Sequence, residues 1–282
     1  MLPNPFLDSE RRLRNGWWVL VFFAILAVML VPFIVSARDS GGAVSPGKQA
    51  AVVAVASCIC QLLRRRPLSE LFGRLDIRWL RQLLLGALGG AVLMLVPALV
   101  LAGFGWVAWE WNGAGALPSA VALFAGAALA EELIFRGFIF QRLIDGLGQW
   151  PAQLILAGYF LLTHSAGLSA AGELRALAGV NIFLASILFG LAFIRTRSLA
   201  MPLGLHFAAN LTQGAVLGFG VSGGNQPGMM NPTFLGGPSW MTGGDFGLEA
   251  SVPGLACVVA AVIILYRWSP APKPLRAGGD EG

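Results

Sequence analysis

Within an otherwise apolar stretch of this 282-residue chain stand two adjacent carboxylates and an arginine, Glu131-Glu132-Leu-Ile-Phe-Arg136. Arg136 follows Glu132 by four residues, so on a helix the two share a face and can pair. Glu131 is rotated by about 100° from that face and has no local cation. A carboxylate so placed is the kind of group that takes a proton from water in general-base catalysis. The chain has two histidines, and both also lie in apolar runs: His164 in Tyr159-Phe160-Leu-Leu-Thr-His164, and His206 in Gly204-Leu-His206-Phe-Ala-Ala-Asn210. Asn210 sits one turn beyond His206 and can add an amide donor on the same face. A base, two imidazoles and an amide donor suffice for attack of water on an acyl carbonyl. Two histidines and one carboxylate also match the ligand count of a catalytic zinc, although no His-Glu-x-x-His pair lies on one helix. If Glu131 were a ligand, another base would be required. The cofactor therefore stays open between a divalent metal (zinc) held by His164 and His206, and none.

The elements that must position these residues are membrane helices. Hydrophobic residues make up 56% of the sequence and charged residues 12%, about half the charge of an ordinary soluble domain. The apolar residues come in long blocks, near Trp17–Ser36, Ala50–Leu63, Leu83–Phe104, Pro118–Leu143, Trp150–Ala166, Leu177–Ile194, Leu199–Gly220 and Ser251–Trp268. They predict an all-α, polytopic transmembrane bundle of about eight spans. The second block is short, and its helix is expected to start earlier, after Ser45–Gly47. The first block is long enough to span and lacks a small-residue cleavage site, so it reads as a retained helix.

Lys and Arg then alternate between sides. The N-terminal tail holds Arg11, Arg12 and Arg14, and the segment after the second span holds Arg64, Arg65, Arg66, Arg74, Arg78 and Arg81. Arg142 follows the fourth span, Arg195 and Arg197 the sixth, and Arg267, Lys273 and Arg276 close the chain, while the intervening loops are nearly bare. The positive-inside rule puts both termini in the cytoplasm. The same distribution accounts for the net charge of +5 without nucleic acid. The partners expected are membrane lipids and a protein or peptide substrate. Cys58, Cys60 and Cys257 fall inside apolar blocks and read as small packing residues. Gly86 with Gly90, and Gly214 with Gly218, have GxxxG spacing and read as helix-packing contacts. At about 1.5 Å of rise per residue, Glu131, His164 and His206 lie roughly 16, 20 and 11 Å from the cytoplasmic ends of their spans, which permits one site.

Taken together and in this order, Glu131-Glu132-x-x-x-Arg136, Phe160-x-x-x-His164 and His206-x-x-x-Asn210 on successive membrane helices resemble the three motifs of the CPBP family. That family includes type II CAAX prenyl endopeptidases and bacterial relatives linked to bacteriocin processing or immunity. The resemblance covers about a hundred residues, Ala116 to about Gly218. It divides the chain into N-terminal membrane helices (1–115), a CPBP-like core (116–220), an extracytoplasmic Gly- and Pro-rich loop (221–250), and a last span with a cytoplasmic tail (251–282). It implies an intramembrane peptidase, metallo- or glutamate-type, in a bacterial inner membrane. Glu131 would activate water, His164 and His206 would position that water or bind a metal, Asn210 would stabilise the oxyanion, and Arg136 would hold Glu132. Two other readings use the same residues: a non-catalytic scaffold or immunity protein of this fold, and a proton-coupled transporter. The substrate is not legible, and a prenylated protein is not required.

Overall fold

The structure, a computed structural model, describes residues 4–7 and 11–268; Lys273 and Arg276 lie outside the described residues. Among the described residues twelve α-helices follow one another: α1 (Asn15–Asp39), α2 (Pro46–Leu63), α3 (Ser69–Phe72), α4 (Ile77–Gly103), α5 (Leu117–Glu132), α6 (Phe138–Leu147), α7 (Gln149–Thr163), α8 (Ser165–Ala170), α9 (Arg175–Thr196), α10 (Ala200–Asn210), α11 (Ser239–Thr242) and α12 (Val252–Arg267). Two π-helical turns intervene, Leu133–Gly137 between α5 and α6 and Leu211–Val216 after α10. Among the described residues, five helical stretches are long and apolar enough to cross a membrane: Asn15–Asp39, Pro46–Leu63, Ser69–Gly103, Leu117–Leu147 and Gly172–Thr196. The apolar α12 is shorter. This is a membrane protein built from helices.

Local sequence explains several boundaries. Pro46 at the first turn opens α2 earlier than its apolar block, because a missing N–H costs nothing there. Asp76 caps α4, its Oδ1 accepting from the backbone N–H groups of Arg78 (2.9 Å) and Trp79 (3.0 Å). Ser251 caps α12 through a 3.0 Å bond from the Gly254 N–H.

The helix that carries His206 is seated by the N-terminal part of the chain. α4 and α10 pack backbone to backbone: a Cβ on Gly86 would fall on the Met201 carbonyl, and one on Gly90 on the Leu205 carbonyl. From the other side, a Cβ on Gly204 would fall on the Leu83 carbonyl. Small residues at these positions are what let two helices approach so closely in lipid. Of the second pair, Gly214 meets the helix-packing expectation and Gly218 does not. Gly214 packs against the Phe124 ring, whereas Gly218 lies beyond the helix with φ +75° and abuts the Met230 carbonyl. It serves a turn rather than a helix pair.

The stretch 221–250, expected as a loop, contains secondary structure. β1 (Val107–Trp111) pairs antiparallel with β2 (Met230–Phe234), Val107 opposite Phe234 and Trp111 opposite Met230. Trp109 donates its indole N–H to the Leu217 carbonyl at 3.0 Å, and Asn112 bonds Gly228 O at 3.0 Å. The all-α expectation thus needs this one addition. Two loops nearly bare of Lys and Arg satisfy their backbone groups on each other at the end of the bundle where the site lies.

Candidate active site

Glu131 and Glu132 occupy the last positions of α5, and the helix widens into a π turn immediately afterwards. Asn210 ends α10 in the same way, with a π turn following it. Such turns leave an irregular backbone and frequently accompany functional sites. His164 stands where α7 stops, with φ −94° and ψ 8°, before the short α8 resumes. Each sequence motif therefore sits at a helix irregularity, and the three irregularities meet around one cavity.

Glu132 is fully buried and Arg136 is 1% exposed. Arg136 Nη1 contacts Glu132 Oε1 at 3.3 Å, so the pair expected from spacing is present. The remainder of the guanidinium is satisfied from α9: Nη2 donates to Ser186 O at 2.7 Å and Ser186 Oγ at 2.8 Å. Its carbon lies 5.3 Å from the ring centroids of both Phe160 and Phe189, an arrangement that favours a cation over the aromatic faces. Phe189 in turn stacks on His206, with centroids 4.8 Å apart and planes 9° from parallel.

Glu132 also reaches the second histidine motif. Its Oε1 lies 2.8 Å from His206 Nδ1, so with an ionised Glu132 the tautomer carrying hydrogen on Nδ1 is assigned from the network. That leaves Nε2 directed at Glu131, 3.8 Å from its Oε2. Glu131 has no cation on its own helix, as its position suggests, but it faces an imidazole from α10. Its side chain is 31% exposed, unlike that of Glu132, and its Oε2 is a buried oxygen without a hydrogen bond from the protein.

The spacing Phe160-x-x-x-His164 also acquires a physical reason. His164 Nδ1 lies 2.8 Å from the Phe160 carbonyl one turn back, an acceptor that requires Nδ1–H and leaves Nε2 with its lone pair. The Phe160 ring lies against His164 at 4.5 Å between centroids and near His206 at 6.4 Å. One phenylalanine orients the first imidazole through its backbone and packs between both.

A cavity of about 260 Å³ is lined by Glu131, His164, His206 and Asn210 together. A second, of about 410 Å³, shares Glu131, His164 and Ser222 with it and opens beside Gln49 and Tyr159. Of the six candidate residues, these four line the cavity, and Glu132 and Arg136 stand behind them. Sequence reasoning missed Ser186, which satisfies Arg136. It also missed Glu249, which lines the same cavity from the turn before α12. Glu249 Oε2 accepts from the backbone N–H of Ser222 (2.8 Å) and from its hydroxyl (2.9 Å). Its own carbonyl accepts from Asn181 Nδ2 at 2.6 Å. Glu249 lies in no motif, and the only local signal is a carboxylate two residues before an apolar span.

Burial pushes the Glu249 carboxyl above the ordinary carboxylate range, against the opposing pull of Ser222 and the two histidines. A group raised on folding adds stability that is present below its unfolded value and is lost as pH rises through the folded value. Melting temperature should therefore fall with rising pH above the ordinary carboxylate range in the wild type. It should fall less in Glu249→Gln, measured by thermal unfolding in detergent; identical pH profiles would contradict this.

Among the described residues, no three His, Cys, Asp or Glu side chains come close enough together to hold one metal ion. The Nδ1 atoms of His164 and His206 are engaged by Phe160 and Glu132, and the remaining donors do not form a ligand set in this arrangement.

Carboxylates and imidazoles from four helices thus converge on one cavity within a membrane-helix bundle. Residues 111–212 match the family model described as Type II CAAX prenyl endopeptidase Rce1-like. The match includes all three motifs and agrees with the resemblance seen in the sequence. No curated protein matches the chain.

Proposed function

We propose that the protein is an intramembrane endopeptidase in which Glu131 activates water for attack on a peptide carbonyl. The observation that carries this is Glu131 Oε2, a buried carboxylate oxygen that takes no protein hydrogen bond and faces His206 Nε2 at 3.8 Å inside the cavity shared with His164 and Asn210. Glu131 removes a proton as the water oxygen bonds to the carbonyl carbon. When the tetrahedral intermediate collapses and the C–N bond breaks, Glu131 returns that proton to the leaving amine. His206 accepts the water's other hydrogen through Nε2, His164 lines the same cavity and positions the reactants, and the Asn210 amide donates to the oxyanion. Glu132 and Arg136 do not touch the reacting atoms: Glu132 fixes the tautomer and orientation of His206, and Arg136 holds Glu132. The substrate is a membrane-associated protein or peptide. A cleavage assay with purified protein in lipid tests the reading. No cleavage by the wild type, combined with a cellular phenotype that Glu131→Gln still supports, would favour the scaffold instead.

For topology we propose eight passes with both termini in the cytoplasm of a bacterial inner membrane, on the alternation of basic and bare connections. Single cysteines placed in 221–250 should be labelled from outside, and cysteines between Arg64 and Arg81 should not. Outside labelling of the Arg64–Arg81 segment overturns the orientation.

A further inference from the structure

At the end of the bundle that carries the basic connections, the start of α1 and the ends of α2 and α6 enclose a cavity of about 820 Å³. Arg14, Arg64, Arg66 and Arg142 line it, with Asp145 the only carboxylate on its wall among the described residues. The peptidase chemistry uses none of them. We propose that this cavity binds the phosphate of an anionic phospholipid headgroup.

Arg142 is 4% exposed overall, and it is only partly satisfied. Its Nη1 pairs with Asp145 Oδ2 at 2.9 Å and Asn15 Oδ1 at 3.2 Å, while its buried Nε has no hydrogen-bond partner. A buried, unmatched N–H on a cation is costly, and an anionic oxygen is the acceptor that best offsets it. Arg64 is held nearby by its packing: its carbon lies 5.9 Å from the centroids of both Trp18 and Phe138, and Arg142 lies 5.6 Å from the same Phe138 ring. The hydrogen-bond partner of Arg64 is the neutral Gln61 Oε1 at 3.3 Å. Two guanidinium groups thus share one phenylalanine, and only one of them has a carboxylate at hydrogen-bond distance. Burial first, and the Arg142 charge second, push Arg64 down to about 10. A phosphate oxygen between the two would relieve both effects, and planar guanidinium groups suit it geometrically.

Placement favours a lipid over a free phosphate. The cavity lining includes Leu63 and Leu147, which are 59% and 53% exposed. The adjoining α1 packs one face on the core through Phe22 and Leu26 and leaves Leu20, Val28 and Val31 exposed on the other. Acyl chains can lie on that face while the headgroup enters between the arginines, where anionic lipid and basic side chains attract at the membrane surface.

The test uses the full chain in neutral detergent, with short-chain phosphatidylglycerol, phosphatidylcholine of the same chain length, and inorganic phosphate as probes. Retention is read by native mass spectrometry and stabilisation by thermal unfolding. Phosphatidylglycerol should be retained and raise the melting temperature, and phosphatidylcholine should do neither. Arg64→Gln should weaken phosphatidylglycerol binding about tenfold, the loss of one charge-assisted contact. Arg81→Gln, an exposed arginine outside the cavity, should leave it unchanged. Arg142→Gln should act like Arg64→Gln; because Arg142 is buried and that variant can fail to fold, the partly exposed Arg64 decides. Equal retention of both lipids, wild-type binding by Arg64→Gln, or equal stabilisation by inorganic phosphate would overturn the proposal.

Discussion

Glu131→Gln should reduce peptide cleavage by about 10²- to 10⁴-fold, the range of a positioned general base, with little change in folding. The substitution keeps the side chain's shape and removes only its capacity to take a proton. The partly exposed Glu131 makes no ion pair on its own helix, and its contact to His206 Nε2 is 3.8 Å, longer than a hydrogen bond. Thermal unfolding should therefore shift far less than activity. His164→Ala and His206→Ala should be similarly inactive. Either one combined with Glu131→Gln should add little, because groups that act as a unit are not additive. Asn210→Ala should keep more activity, since loss of one oxyanion donor costs about 10²- to 10³-fold. The measurement is single-turnover cleavage of a membrane-associated peptide by purified enzyme in lipid, beside a melting curve for each variant. Full cleavage by Glu131→Gln would remove the general base from the mechanism. With Glu131→Gln inactive, proteomic comparison of deletion and Glu131→Gln cells with wild type would identify the proteins that accumulate uncleaved.

The parts of this site that were legible in the sequence are those encoded within one helical turn. Glu132 and Arg136 pair at a spacing of four, His164 bonds the Phe160 carbonyl four residues back, and His206 and Asn210 line the same cavity. Helix periodicity alone puts each pair on one face. That the chain is built from membrane helices was legible for the same kind of reason, since a bilayer demands long apolar blocks whatever their neighbours, and five helical stretches meet that demand in the structure. What periodicity does not contain is the partner on another helix. Ser186 lies fifty residues from Arg136 and meets it through an ordinary serine in an apolar span. Glu249 meets Ser222 across twenty-seven residues of a Gly- and Pro-rich segment that carries no repeat. The pairing of β1 with β2 joins residues more than a hundred positions apart, and short runs containing Trp, Glu, Asn and Pro give it no alternation to announce it. One π turn contains Arg136 and the other begins just after Asn210, yet nothing in the composition of Leu133–Gly137 distinguishes it from α-helix. The bond between Glu132 and His206 is the most consequential of these long-range contacts, because it gives the second glutamate a task that its arginine partner alone does not explain.

That task makes Arg136 the residue whose loss should cost the most stability. Removing one partner of a buried ion pair leaves the other charge uncompensated, at a cost of about 3–5 kcal/mol. Arg136→Ala does this to a Glu132 that is fully buried and already has one oxygen, Oε2, without a hydrogen bond. It also empties the space between Phe160 and Phe189 and strips Ser186 of its donor. With a typical total stability of about 5–15 kcal/mol, such a loss should lower the amount of protein recovered from membranes as well as its melting temperature. Arg136→Lys keeps the charge but not the planar fork that reaches Glu132 and Ser186 at once, so it should recover only part of the lost stability. In variants that still fold, activity should fall through His206, whose Nδ1 partner would no longer be held in place. Restoring neutrality with the double substitution Arg136→Met and Glu132→Gln separates the two effects. Well-packed neutral residues often replace a buried pair without loss of stability, so the melting temperature should recover towards the wild type. Cleavage should not recover, because the neutral amide no longer supplies the carboxylate that fixes the His206 tautomer. An Arg136→Ala protein with wild-type abundance and melting temperature would show that the pair bears no structural load. Recovery of cleavage along with stability in the double variant would show that Glu132 does nothing for His206.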